Sequence, residues 1–360
     1  MPLDHYFTLG HSGLRVSPLC LGAMTFGEDW GFGSDLETSR AVLHAYLDAG
    51  GNFIDTANIY TKGHAEAFMG DELGVHASKR DRVVIATKFQ GNLYNGDPNG
   101  GGGSRKTIME SCEQSLRRLR TDYIDLYWMH WWDAFTPIEE TMQAMDDLVR
   151  AGKVRYIGFS DTPAWKCAQA QTMAHFRGWA PLIALQIEYS LVERTVEGDL
   201  IPMAQELGLG VTPWSPLRGG LLTGKFTRDD TKGGDSRREW LTNQLNDRVF
   251  GIIDAVLDVA GQLNVSAAQV ALAWVRQRAG VTSTIIGART LEHLEANLAS
   301  IDVTLSDEQM TTLNEASVPT LNFPAGFLDR VAMATQGGTT INGRAGEVWP
   351  MAPASDEERW

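Results

Sequence analysis

Eight short β-branched or apolar runs, separated by longer stretches of helical character, constrain this 360-residue chain more than anything else in it. The runs are "SPLCLG" (17–22), "GNFIDTA" (51–57), "RVVIATKF" (82–89), "DYIDLYWMH" (122–130), "VRYIGFS" (154–160), "PLIALQIE" (181–188), "LGVTPW" (209–214) and "STIIG" (283–287). Between them, "SRKTIMESCEQSLRRLR" (104–120) opens on a Ser N-cap and puts Ile108, Cys112, Leu116 and Leu119 on one face. "TPIEETMQAMDDLVRAG" (136–152) begins with Thr-Pro and stops at Gly152. Strands alternating with helices predict a parallel α/β fold, and eight of them close a (β/α)8 TIM barrel of about 250 residues plus insertions. The excess falls to an N-terminal β-hairpin ("HYFTLGHSGLRVS"), a segment after the seventh strand (215–245) and a C-terminal tail. The expected layout is one barrel domain over 1–318, with an irregular tail over 319–360 as a candidate cover for the substrate cleft. A doubly wound open sheet competes, but no strand runs into a G-x-G-x-x-G turn.

Charge narrows the partners. The formal net charge is −14, which repels phosphate backbones and anionic lipid and so argues against nucleic acid and membranes. A local basic pocket for a single phosphate is still allowed. No apolar run approaches the roughly 18 residues of a membrane span, and the N-terminus has no basic segment leading into an apolar one. Cys20, Cys112 and Cys167 lie far apart without metal-ligand spacing, which predicts reduced thiols in a cytoplasmic protein. Nothing in the sequence fixes an oligomeric interface.

Polar residues gather at the strand ends, where barrel enzymes carry their chemistry. Strand two ends in Asp55, strand three in Lys88, strand four in His130; strand five delivers Ser160 and Asp161, strand six Gln186, strand seven Trp214 and Ser215. Tyr60, five residues past Asp55, is placed to turn back over the mouth. Singly, each has an ordinary explanation: a turn residue, a snorkelling lysine, a satisfied imidazole, a packing tyrosine. Together they are costly to bury unless they pair. A phenol has a pKa near 10 and is a poor acid, and a neighbouring ammonium lowers that value. Lys88, aimed by Asp55, would thus tune Tyr60 as general acid toward an oxygen gaining charge, with His130 donating a second hydrogen bond. This equipment suits carbonyl reduction, and the electrons must come from a cofactor.

"PWSPLRGGLLTGKF" (213–226) places Gly219 ahead of Gly224-Lys225 almost as a P-loop does, but Phe226 stands where Mg²⁺ binding needs Ser or Thr. With "LGHSGLRVSPLCLGAMTFG", "DTANIYTKGHAE", "VVIATK", "DLYWMHWWD", "GFSDTPAW", "LQIEYSL" and "IIGARTLEHLEANL" in order, the sequence resembles the aldo-keto reductase superfamily over roughly its first 315 residues. It is most similar to the bacterial branch related to the potassium-channel β subunits. The resemblance implies a tetrad of Asp55, Tyr60, Lys88 and His130 and an NADPH/NADP+ cofactor. Trp214 would stack on the nicotinamide, and Ser160 and Gln186 would hold its carboxamide, with Gly22 and Met24 nearby. Ser215, Pro216, Leu217, Gly219, Gly220 and Lys225 would wrap the pyrophosphate. Arg289, beside Gly287, is the candidate for the 2′-phosphate, with His293 and Asn297 at the adenosine end and Arg237 as a second charge.

Three positions depart from the resemblance. Asp161 stands where Asn is common and cannot donate as an amide would; Ala23 replaces a frequent Thr, and Ala296 a Glu that contacts adenine. Trp30, Trp131 and Trp132 are candidates for the cleft mouth and suggest an apolar or aromatic small-molecule carbonyl substrate. The leading expectation is therefore an NADPH-dependent oxidoreductase. An NADP-binding redox-sensing regulatory subunit and a barrel lyase or isomerase without nicotinamide are the alternatives.

Overall fold

The computed structural model describes residues 2–228 and 241–359; Arg237 lies outside them. A two-stranded antiparallel hairpin, β1 (Phe7–Thr8) and β2 (Arg15–Val16), precedes the barrel. Eight parallel strands follow: β3 (Leu19–Gly22), β4 (Phe53–Asp55), β5 (Val84–Phe89), β6 (Ile124–Met129), β7 (Val154–Ser160), β8 (Leu182–Glu188), β9 (Gly210–Trp214) and β10 (Thr284–Gly287). Each of the eight runs picked out above contains one of these strands. The sheet order is β10-β3-β4-β5-β6-β7-β8-β9. Its two ends meet through a Val211–Val281 bridge, with the Thr282 amide donating to the Val211 carbonyl at 2.8 Å. The result is a (β/α)8 barrel, nearly closed.

Alternation along the strands sorts the core into two shells. Cys20, Phe53, Val84, Ala86, Leu126, Trp128, Ile183, Ala184 and Ile285 fill the interior. Their sequence neighbours Leu19, Leu21, Ile54, Ile85, Tyr127 and Leu185 face the helices. Leu9 and Val16 of the hairpin join the interior set, so β1–β2 plugs the N-terminal end and leaves the C-terminal end to the polar residues. All three cysteines are buried free thiols, Cys20 inside the barrel and Cys112 and Cys167 on the buried faces of helices.

The helices follow their caps. Ser104 caps Arg105–Leu119, its hydroxyl accepting from the Thr107 amide at 3.3 Å. The next helix, Ile138–Arg150, starts two residues later than its Thr-Pro signal, because Thr136 is diverted to Asp133 at 2.7 Å and Pro137 takes the N-cap. The C-terminal tail is less irregular than its aperiodic sequence predicts. It holds a helix, Ala325–Gln336, and a hairpin, β11 (Thr340–Ile341) with β12 (Arg344–Ala345). None of its described side chains is buried, which is why no apolar period marks it. Leu321 and Ala325 bring the start of the tail against Gly198, in the loop after β8. Among the described residues no single helix is long and apolar enough to cross a membrane.

The plug depends on Gly10. Its φ is +57°, and a Cβ there would stand 2.2 Å from the Ile183 carbonyl oxygen. Gly10→Ala is therefore expected to destabilise the fold by more than about 2 kcal/mol, read as a lowered denaturant midpoint. Unchanged stability would mean the hairpin does not seal the barrel.

Candidate active site

The C-terminal ends of β4, β5 and β6 deliver Asp55, Lys88 and His130, and the turn after β4 returns Tyr60 above them. Lys88 is fully buried. Its ammonium donates to an Asp55 carboxylate oxygen, to the Thr56 carbonyl at 2.8 Å and to the Tyr60 hydroxyl oxygen at 3.2 Å. An ammonium has three protons, and all three are used. Since Tyr60 accepts from Lys88, its own proton is free to point elsewhere. The other Asp55 oxygen accepts from the Gln186 amide at 2.9 Å, so this carboxylate is held from both sides.

Electrostatics assign the charges. Burial works against the Lys88 ammonium, but Asp55 and Tyr60 more than offset it, and the group stays above the ordinary lysine value. For Tyr60 the net direction is opposite to the sequence expectation. Burial, the largest influence, raises the phenol above its usual range; Lys88 pulls it down, while Asp55 and Asp161 push it up. Desolvation of a phenolate outweighs the ammonium's attraction. Tyr60 is therefore held as a neutral phenol, with the Lys88 ammonium 3.2 Å from its oxygen. His130 is driven down to about 2 by burial and by the Lys88 charge, which fixes a neutral imidazole. Its Nδ1 is buried without a partner, and its ring lies edge-on to Tyr60 with centroids 5.8 Å apart.

The remaining strand ends form one rim. Gly22 pairs in register with Asp55 on one side and Gly287 on the other, and Met24 follows it, half-buried. Ser160 pairs with Gln186, and Glu188 with Trp214. The Trp214 indole packs on the barrel interior and donates to Asp161 at 3.0 Å. Asp161 itself opens to the cleft with φ +40°. Although the residue is exposed at the cleft, the protein packed around its carboxyl strips part of its water and raises it to about 6, against the pull of Trp214, Ser160 and Lys88. Beyond Trp214 the chain doubles back through Ser215, Pro216 and Leu217, with positive φ at Ser215 (+54°), Arg218 (+47°), Gly219 (+64°), Gly220 (+115°) and Gly224 (+80°). Such a run curls backbone amides into a concave turn suited to an anion. Arg218 forms an ion pair with Glu188 and donates to Gln244 at 2.9 Å.

Two cationic side chains and an imidazole come together at the far end of the rim. Burial, and then the charges of Lys225 and Arg289, push His293 below its ordinary value, which brings the β9 loop, the β10 end and the next helix to one place. Asn297 is buried, and its amide donates to the Gly287 carbonyl at 3.0 Å, so it braces this corner as well as flanking it. At the mouth, Trp30 lies edge-on to Tyr60 at 6.1 Å, and Trp131 packs on His130 at 4.3 Å. Trp132 turns to the Lys166 ammonium, 4.8 Å from its ring. Sequence reasoning missed Gln90. Its side chain accepts from the Trp131 amide at 2.8 Å, and its φ of +91° is invisible in the sequence. Among the described residues no cluster of His, Cys, Asp or Glu could hold a metal ion.

Asp55, Lys88 and Tyr60 thus form one hydrogen-bonded group, with the neutral His130 imidazole beside it, at the C-terminal mouth of the barrel. The model of the aldo/keto reductase family matches residues 18–318, and the chain belongs to that family of oxidoreductases. It is 37% identical over 334 residues to an aryl-alcohol dehydrogenase [NADP(+)] of Phanerodontia chrysosporium, covering 88% of this chain and 85% of the relative. It is 39% identical over 319 residues to the uncharacterized oxidoreductase YrpG of Bacillus subtilis, covering 86% and 95%. It is also 37% identical over 325 residues to the norsolorinic acid reductase stcV of Emericella nidulans, covering 88% and 82%.

The Asp161–Trp214 bond gives the rim a pH signature. The fluorescence difference between the protein and Trp214→Phe should change with a midpoint near the Asp161 value of about 6, as the carboxylate formed above it strengthens the indole hydrogen bond. Asp161→Asn should flatten that change. A titration that survives in Asp161→Asn would assign it to another group.

Proposed function

We propose that this enzyme reduces aldehydes or ketones to alcohols with NADPH, and that Tyr60 is the proton donor. The observation that carries the reading is the use of all three Lys88 protons, one of them on the Tyr60 oxygen. A phenol that accepts from a fixed ammonium has one direction left for its own proton, into the cleft between Trp30, His130 and Trp131. As that proton moves to a carbonyl oxygen, the charge left on Tyr60 lies 3.2 Å from Lys88, and Asp55 keeps Lys88 charged. The stabilisation grows as the proton leaves, which is the differential binding that lowers a barrier. His130, neutral, offers a hydrogen bond to the same oxygen without competing for the proton.

A nicotinamide dinucleotide, when bound, supplies the hydride. The residues present fit one. The left-handed turn from Ser215 to Gly224 suits a pyrophosphate, and Trp214 offers an aromatic face beside the tetrad. The meeting of Lys225, Arg289 and His293, in a chain of net charge −14, is a place for one further phosphate. Ser160 and Gln186 lie beside Asp55 for the carboxamide, where Asp161 can accept but, when ionised, cannot donate. The aromatic wall of Trp30 and Trp131, and the names of the relatives, favour aryl carbonyl compounds as substrates.

A panel of aryl aldehydes with NADPH tests the reading, and turnover above about 1 s⁻¹ is expected. Tyr60→Phe should lower kcat by at least about 10² while leaving NADPH affinity nearly unchanged. Loss of both in proportion would make Tyr60 structural. Arg289→Ala should weaken NADPH by about tenfold and leave NADH unchanged; parallel weakening would remove Arg289 from the 2′-phosphate.

A further inference from the structure

The turn that carries Tyr60 is held in an unfavourable backbone conformation. Thr61 and Lys62 have φ of +45° and +58°, and Gly63 follows at +94°. Left-handed conformations cost roughly 1–2 kcal/mol per non-glycine residue, so something outside the turn must impose them. One anchor lies within it. Thr61 is fully buried, donates to the Phe26 carbonyl at 3.1 Å and accepts from the Ala65 amide at 2.9 Å.

A second anchor lies on the other side of the sheet. Strand alternation sends Lys88 into the barrel and its neighbour Thr87 outward to the helices. There the Thr87 hydroxyl donates to Glu66 at 2.5 Å. Glu66 sits six residues after Tyr60, in the helix His64–Met69, and is fully buried. Its second oxygen accepts from the Arg118 Nε at 2.7 Å. The Arg118 stem also lies under Gly63, where an added Cβ would stand 3.1 Å from Cδ. One stretch of chain, 60–66, therefore grips one strand, β5, twice: inside through Tyr60 and Lys88, outside through Glu66 and Thr87. Nothing in the proposed proton transfer uses the outer grip, yet a carboxylate fully removed from water is expensive to keep.

We infer that Glu66, clamped between Thr87 and Arg118, is a positioning residue that sets the separation of the Tyr60 hydroxyl and the Lys88 ammonium. The inference rests on the proposed role of Tyr60 as proton donor. The clamp works by fixing the register of the helix His64–Met69 on β5. A shift of that helix moves the Tyr60 turn relative to Lys88, which its own three hydrogen bonds hold still. Displacements of about 1 Å at a reacting group cost up to about 10² in rate.

Thr87→Val is the test because it keeps shape and deletes one hydrogen bond. Two readouts are taken: hydrogen exchange of residues 57–66 in the cofactor-free protein, and kcat together with the Kd of NADPH. Exchange in that turn should quicken about tenfold and kcat should fall about tenfold. The Kd of NADPH should be unchanged, and Thr87→Ser, which restores the hydroxyl, should recover both. Glu66→Gln, which keeps the volume but weakens both hydrogen bonds, should give a larger effect in the same direction. Unchanged exchange in Thr87→Val overturns the clamp. Faster exchange with unchanged kcat overturns the positioning role, and so does an equal loss in Thr87→Ser. Should the unaltered protein reduce no carbonyl compound, the proposed function falls, and the exchange comparison still decides whether the clamp holds the turn.

Discussion

A lysine ammonium with no exposure to water sits at the centre of this molecule, and most of the mouth can be understood as the arrangement needed to keep it there. An isolated charge in such a place would lose its proton. Lys88 keeps it because Asp55, the Thr56 carbonyl and Tyr60 each accept one hydrogen bond. Asp55 in turn is steadied by Gln186 from across the barrel. Breaking a buried pair of this kind costs about 3–5 kcal/mol, so the Asp55–Lys88 pair is held in place. On the proposed reading, with Tyr60 as proton donor, that rigidity leaves little reorganisation to undergo during reaction.

The barrel makes that arrangement possible by segregating its ends. Leu9 and Val16 of the hairpin complete the apolar interior at one end, below Trp128 and Phe53. Asp55, Lys88 and His130 then lie where their strands finish, and the parallel register sets the Gly22, Asp55 and Gly287 ends side by side. Loops supply what the strands cannot. The positive-φ run after Trp214 offers backbone amides, and Lys225 and Arg289, close to His293, offer positive charge at the end of the rim.

Much of this was legible in the sequence, for definite reasons. The eight strands were visible because buried parallel strands are short apolar runs bounded by polar ends, and Val154–Ser160 matches its run residue for residue. Asp55, Lys88 and His130 were visible because strand ends are where a barrel places chemistry, and Tyr60 because of its spacing from Asp55. Contacts between distant segments were not. The Gln186–Asp55 bond spans 131 residues and the Trp214–Asp161 bond 53, and neither leaves a local pattern. The helix Ala325–Gln336 escaped because none of its described side chains is buried. The direction of the Tyr60 shift was misjudged because sequence supplies the neighbouring charge but not the depth of burial, and burial is the larger influence.

The central claim is that Lys88 remains an ammonium, fully charged, beside a neutral phenol. The most direct measurement is the pH titration of lysine Nζ by ¹⁵N NMR, with the Lys88 signal assigned by its loss in Lys88→Arg. The account predicts that Lys88 stays charged beyond the ordinary lysine value of about 10.4. A Lys88 signal that passes to the neutral amine below about pH 8 would contradict it.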